Sequence, residues 1–149
     1  MSTQNWKVYL SGEIHSDWRE RIMNGAREKN LAVEFTMPVT DHEASDMCGV
    51  RILGEEEKPF WRDRKGSGIN AIRTSRHISD ADAVVVRFGP KYKQWNAAFD
   101  AGYAAALGKP IITLHDEEHD HALKEVDAAA SATARRPEQV VEILEYVLN

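Results

Sequence analysis

The 149-residue chain has a single cysteine, Cys48. No disulfide can close within one chain, and a zinc site built on thiolates is excluded. No apolar run approaches the length of a membrane span. The first residues, Met1 to Val8, lack the apolar stretch of a secretion signal, so a cytoplasmic protein with no membrane contact is expected. An excess of positive charge is missing too. The formal net charge of −5 argues against general nucleic-acid binding, although a local basic pocket stays compatible with it. Glycine is scarce where phosphate-binding loops concentrate it. The turn Ser11-Gly12-Glu13-Ile14-His15-Ser16 holds only Gly12, which fits neither a dinucleotide fingerprint nor a P-loop. No flavin or other cofactor is expected, and no nucleophile elbow supports a serine triad.

What is present is an alternation of short apolar runs with helical periods. Lys7 to Leu10 reads as a buried strand. Trp18, Ile22 and Ala26, spaced by four, read as the inner stripe of a helix from Asp17 to about Lys29. Ala32 to Thr36 is a second strand. Pro38 to Gly68 reads as an irregular insertion with a few helical turns near Ala44 to Gly49, and as a flap or an interface because Phe60 and Trp61 are costly to leave in water. A helix follows from Ile69 to Ser79, then a strand from Asp82 to Val86. A basic aromatic loop leads into a small-residue helix closed by Gly108 and Pro110, and Pro110 to Leu114 is a fourth strand. Ser131 to Thr133 is a marginal fifth, and Pro137 opens a last helix striped by Val140, Val141, Leu144 and Val147. Strands alternating with helices predict one α/β domain around a parallel sheet, whose post-strand loops share one edge.

That edge is where a site is sought. Asp100 falls in the second turn of the small-residue helix if Asn96 is its N-cap. A carboxylate there is favoured by the helix dipole whether or not it does chemistry. Small neighbours, Ala97, Ala98, Ala101 and Gly102, leave room for a ligand beside it. Glu13 in the first loop is read as a second carboxylate for acid–base work, or else an exposed turn acid. Tyr9 is read as a residue that orients a carboxylate, or else as core. Lys91 and Lys93, with Tyr92 and Trp95 between and beside them, form a candidate phosphate clamp and stacking surface, to which Arg73 adds charge. Gly12, His15 and Asn96 complete the expected ligand contacts. His115, Asp116, His119 and His121 match no tight metal-site spacing, and no metal is expected.

The stretches Val8-Tyr9-Leu10-Ser11-Gly12-Glu13-Ile14-His15-Ser16-Asp17-Trp18-Arg19-Glu20, Arg73-Thr74 and Phe88-Gly89-Pro90-Lys91-Tyr92-Lys93-Gln94-Trp95-Asn96 strongly resemble the YtoQ family of small bacterial proteins. The likeness covers nearly the whole chain. More distantly, Tyr9-Leu10-Ser11-Gly12, Asp100-Ala101-Gly102-Tyr103-Ala104 and Gly108-Lys109-Pro110 resemble the nucleoside 2-deoxyribosyltransferase superfamily, which includes nucleotide N-glycosidases. The resemblance implies a three-layer, doubly wound, flavodoxin-like fold with a parallel sheet of about five strands over residues 1–149. It implies cleavage or transfer at the N-glycosidic bond of a nucleoside or nucleotide, with Asp100 standing where the transferases carry a glutamate nucleophile and Tyr9 orienting it. The basic loop points to a phosphorylated ligand. The alternative is a non-catalytic nucleotide-binding or signalling module that keeps the pocket. The resemblance also implies a homo-oligomer, dimer or tetramer, whose pocket is completed by segment 38–68 or the C-terminal helix of a neighbour.

Overall fold

The computed structural model describes residues 4–149. Five strands, β1 (Trp6–Gly12), β2 (Val33–Thr36), β3 (Ala83–Phe88), β4 (Ile111–His115) and β5 (Ala132–Ala134), form one sheet in the order β2-β1-β3-β4-β5. Every neighbouring pair is parallel. Helices α1 (Trp18–Glu28) and α6 (Pro137–Leu148) cover one face. Helices α3 (Pro59–Asp80), α4 (Trp95–Ala106) and the short α5 (Lys124–Ala128) lie toward the other, and α2 (His42–Leu53) packs on α3. This is the parallel α/β sheet expected from the alternation, in the doubly wound arrangement that the resemblance implies. Its strand order reverses direction between β1 and β3, the place where such folds open a crevice beyond the strand ends.

Side-chain alternation explains the two cores. In β1, Val8 and Leu10 point into a cluster with Trp18, Ile22, Val140, Val141 and Leu144 from α1 and α6. Tyr9, one residue out of phase, points to the other face with Val84, Val86, Phe88, Ile78 and the alanines of α4. Each fully buried Val, Leu or Ile side chain contributes about 1.5–3 kcal/mol. The strands β3 and β4 are buried on both sides, which explains their nearly unbroken apolar runs.

Segment 38–68 departs from the sequence reading. It is not an irregular insertion but a helical hairpin, α2 followed by the first half of the 22-residue α3. Asp41 caps α2 by accepting the Ala44 amide at 2.9 Å, and Pro59 occupies the first turn of α3, where its missing N–H costs nothing. Two glycines of this segment, Gly49 and Gly66, are packing residues. A Cβ on Gly49 would lie 2.4 Å from the Gly66 nitrogen, so the two helices cross at backbone contact. The Ile69–Ser79 helix is therefore only the second half of α3.

Candidate active site

Helix α4 sits close to the sheet because its inner face is only alanine: Ala97, Ala101 and Ala104 are buried against β3 and its neighbours. The helix begins at Trp95 with Gln94 as N-cap, not Asn96, and the Gln94 side chain accepts the Gly89 amide at 2.9 Å. Asp100 lies in the second turn. The close approach brings its carboxylate to the carboxyl end of β1, where Ser11 Oγ donates to Asp100 Oδ2 at 2.6 Å. Ser11 has no exposed surface, and burial pushes the Asp100 carboxyl above its ordinary range while the Ser11 hydroxyl pulls it back.

Tyr9 lies two residues before Ser11 on the same strand face, wholly buried. Its hydroxyl makes no hydrogen bond of acceptable geometry, although Thr74, Asp100 and Arg73 are near enough to act on it. Burial raises the phenol to about 12, so it is a neutral O–H donor without an acceptor. The His77 ring stacks on the Tyr9 ring at 5.9 Å between centroids. Arg73 borders the same region, and its Nη1 donates to the Met37 carbonyl at 2.6 Å. Beside it runs a cleft of about 600 Å³ between α3 and the β1–β2 edge, lined in part by Lys7, Thr36, Ile69, Ile72, Arg73 and His77.

The first loop is held from several sides. Gly12 adopts φ +117°, and a Cβ there would meet the Arg87 carbonyl oxygen at 2.1 Å, so only glycine fits between β1 and β3. Arg19, nearly buried, donates to the carbonyls of Leu10 (3.1 Å), Gly12 (3.0 Å) and Glu13 (2.7 Å). Burial lowers that guanidinium to about 10. Trp18 Nε1 adds a bond to the Glu13 carbonyl at 2.8 Å. The Glu13 side chain turns back on its own loop and accepts from the amides of His15 and Ser16 and from the Ser16 hydroxyl. Gly89 of the β3–α4 loop lies directly over it, and Tyr92 packs on His15 at 4.9 Å between ring centroids.

Thus Tyr9, Asp100 and Arg73 come together on the α3–α4 side, while Gly12, Glu13 and His15 form a separate, closed loop structure. Lys91 and Lys93 are exposed and lie over the rings of Tyr92 and Trp95. Trp95 is 75% exposed, and Asn96 is exposed as well. Sequence reasoning missed Ser11 and Arg19. The strand alternation that singled out Tyr9 also places Ser11 on the same face; no local pattern marks Arg19. His115 belongs to another cluster, at the end of β4. Its Nε2 meets the Asp127 carboxylate at 2.8 Å, and Arg135 grips Asp120 at 2.6 and 3.1 Å. The three acid and imidazole ligand atoms of His115, Asp120 and Asp127 lie within 4.8 Å of one another.

Residues 9–148 match the family model of nucleoside 2-deoxyribosyltransferase YtoQ. The chain belongs to this family. It is 42% identical to YtoQ of Bacillus subtilis strain 168 over 142 residues, covering 95% of this chain and 96% of that protein. A conserved protein from Enterococcus faecalis V583 shares its fold with a TM-score of 0.65 at 13% identity, over 97% of this chain and 99% of the other. A 2-deoxyribosyltransferase from Bacillus psychrosaccharolyticus superposes with a TM-score of 0.51 at 16% identity, over 91% and 90% of the two chains. The fold of this YtoQ-family chain is thus the fold of a deoxyribosyltransferase.

Proposed function

We propose that the protein cleaves or transfers at the N-glycosidic bond of a nucleoside or nucleotide, with Asp100 as the working carboxylate. The observation that carries the reading is the partly buried Asp100 carboxylate held by Ser11 at 2.6 Å, beside a wholly buried Tyr9 whose hydroxyl makes no hydrogen bond of acceptable geometry. A buried phenol without an acceptor costs about 1–3 kcal/mol, which a ligand oxygen at that point offsets. The bond from the anomeric carbon to the base nitrogen breaks. Asp100 either adds to that carbon, giving a glycosyl ester that water or a second base resolves, or stabilises the cationic sugar while water adds. Family membership supports this reading, since the family's description names nucleoside deoxyribosyl transfer. Arg73, beside Tyr9, is the cation best placed to meet the departing base or an attached anion.

The second reading is a binding module without turnover. The exposed Trp95 and the lysines on the neighbouring loop favour a surface that holds a base without processing it. Incubation with nucleosides, deoxynucleosides, their 5′-monophosphates and NAD, with release of free base as the readout, separates the two. Turnover by the wild type and a fall of at least about a hundredfold in Asp100→Asn with binding retained are expected. Binding without base release in both forms selects the module, and no binding to any member of the panel sinks both readings.

A further inference from the structure

The first loop is built like an anion site but holds its own anion. Its donors, the His15 and Ser16 amides and the Ser16 hydroxyl, converge on the Glu13 carboxylate, which is only 6% exposed. The loop follows β1 at the switch point and leads into α1, where doubly wound folds receive the phosphate of a ligand. Its frame does not depend on that carboxylate. The Arg19 fork binds three loop and strand carbonyls, Trp18 binds the Glu13 carbonyl, and Gly12 locks against the Arg87 backbone. All of these contacts use backbone atoms, so they persist when the Glu13 side chain is shortened. The roof is equally close: a Cβ on Gly89 would lie 2.6 Å from Glu13 Cγ.

We infer that Glu13 is a specificity residue: its carboxylate fills the anion cradle of the first loop and so excludes a phosphate-bearing ligand there, which makes the neighbouring site at Asp100, joined to this loop through Ser11, selective for uncharged nucleosides over their 5′-monophosphates. This rests on the proposed nucleoside reading for the identity of the ligand, whereas the occupied cradle does not. Two negative groups cannot share one set of three donors, and an arriving phosphate meets both the repulsion of Glu13 and the loss of its hydrogen bonds. The exposed Lys91 and Lys93 lie over their own loop's rings and offer no competing closed cradle.

The test uses the full chain in three forms, wild type, Glu13→Ala and Gly89→Ala, melted in inorganic phosphate and in chloride at matched ionic strength. The wild type is expected to melt alike in both. Glu13→Ala is expected to melt lower in chloride and to recover saturably with phosphate. Gly89→Ala, whose new methyl displaces the Glu13 side chain, is expected to gain a phosphate response as well. Equilibrium binding of a nucleoside and its 5′-monophosphate should shift toward the monophosphate by at least about tenfold in Glu13→Ala, a single charge-assisted contact being worth that much. A phosphate-specific gain in the wild type, or none in either variant, overturns the proposal; if Glu13→Ala does not fold in either salt, the Gly89→Ala result decides. The phosphate melts need no turnover, so failure of Asp100 as a catalytic residue and failure of the cradle are read separately.

Discussion

At Asp100 two influences oppose each other. Burial raises the carboxyl and the Ser11 hydroxyl lowers it, with burial the larger. If the ionised form acts, turnover falls on the acid side through a pKa above that of a free aspartate. Ser11→Ala removes the hydrogen bond that favours the charged form, so the acid limb of the pH–rate profile is expected to move to higher pH. Turnover at the plateau should also drop, by about tenfold or more, because the carboxylate loses its fixed rotamer. Ser11→Thr keeps a hydroxyl and should hold the limb near its wild-type place; a limb unmoved by Ser11→Ala would show that another group controls it. The acid itself was legible in the sequence, as the one charge in a helix of small residues. Its partner was legible only in part. Tyr9 and Ser11 share a strand face, but serine is so common that alternation alone does not single it out. Arg19 was hidden because a guanidinium beside a tryptophan on an amphipathic helix reads as surface charge, and only the fold shows three carbonyls waiting for it.

Among the elements, the sheet, α1, α4 and α6 followed from periodicity to within a few residues, whereas the α2–α3 hairpin did not. Beyond a few helical turns near Ala44 to Gly49, its charge-rich composition and the glycines at 66 and 68 look like loop when read along the chain. In three dimensions Gly49 and Gly66 are the crossing point of two helices, and a crossing that close needs residues without side chains. The two kinds of glycine can be told apart by substitution. Gly49→Val places atoms into the Gly66 backbone and is expected to destabilise by about 1–3 kcal/mol or more. Gly68→Ala meets nothing within 4 Å on an exposed turn of α3 and is expected to stabilise by about 0.5–1 kcal/mol. Urea unfolding of both variants checks this, and equal midpoints would contradict the crossing.

On the scale of the whole molecule, the hairpin tip leaves large apolar side chains in water. Ile52 and Leu53 at the end of α2 and Phe60 and Trp61 at the start of α3 are each at least half exposed, and the two aromatic rings meet edge to face at 5.0 Å. A second copy of the chain is the expected cover, in keeping with the homo-oligomer that the resemblance implies. Light scattering at micromolar concentration should give a dimer or tetramer, and Phe60→Asp with Trp61→Asp should reduce it to the monomer mass without loss of helical signal. A monomeric wild type refutes the expectation. Among the described residues no helix is long and apolar enough to cross a membrane.

The parallel order of the sheet also sets a timetable. β1 is made early, yet its inner neighbour β3 arrives only after the whole hairpin, and the Lys7 amide reaches the Asp82 carboxylate across 75 residues. The Ser11–Asp100 bond spans 89. The apolar side of α1 waits longer still, since α6 is the last helix to emerge. Contacts of such separation close slowly, after much chain entropy has been lost. During synthesis β1 can pair with β2 early, but its other edge stays open until β3 emerges, the Ser11–Asp100 contact waits for α4, and the apolar side of α1 stays uncovered until α6 is made.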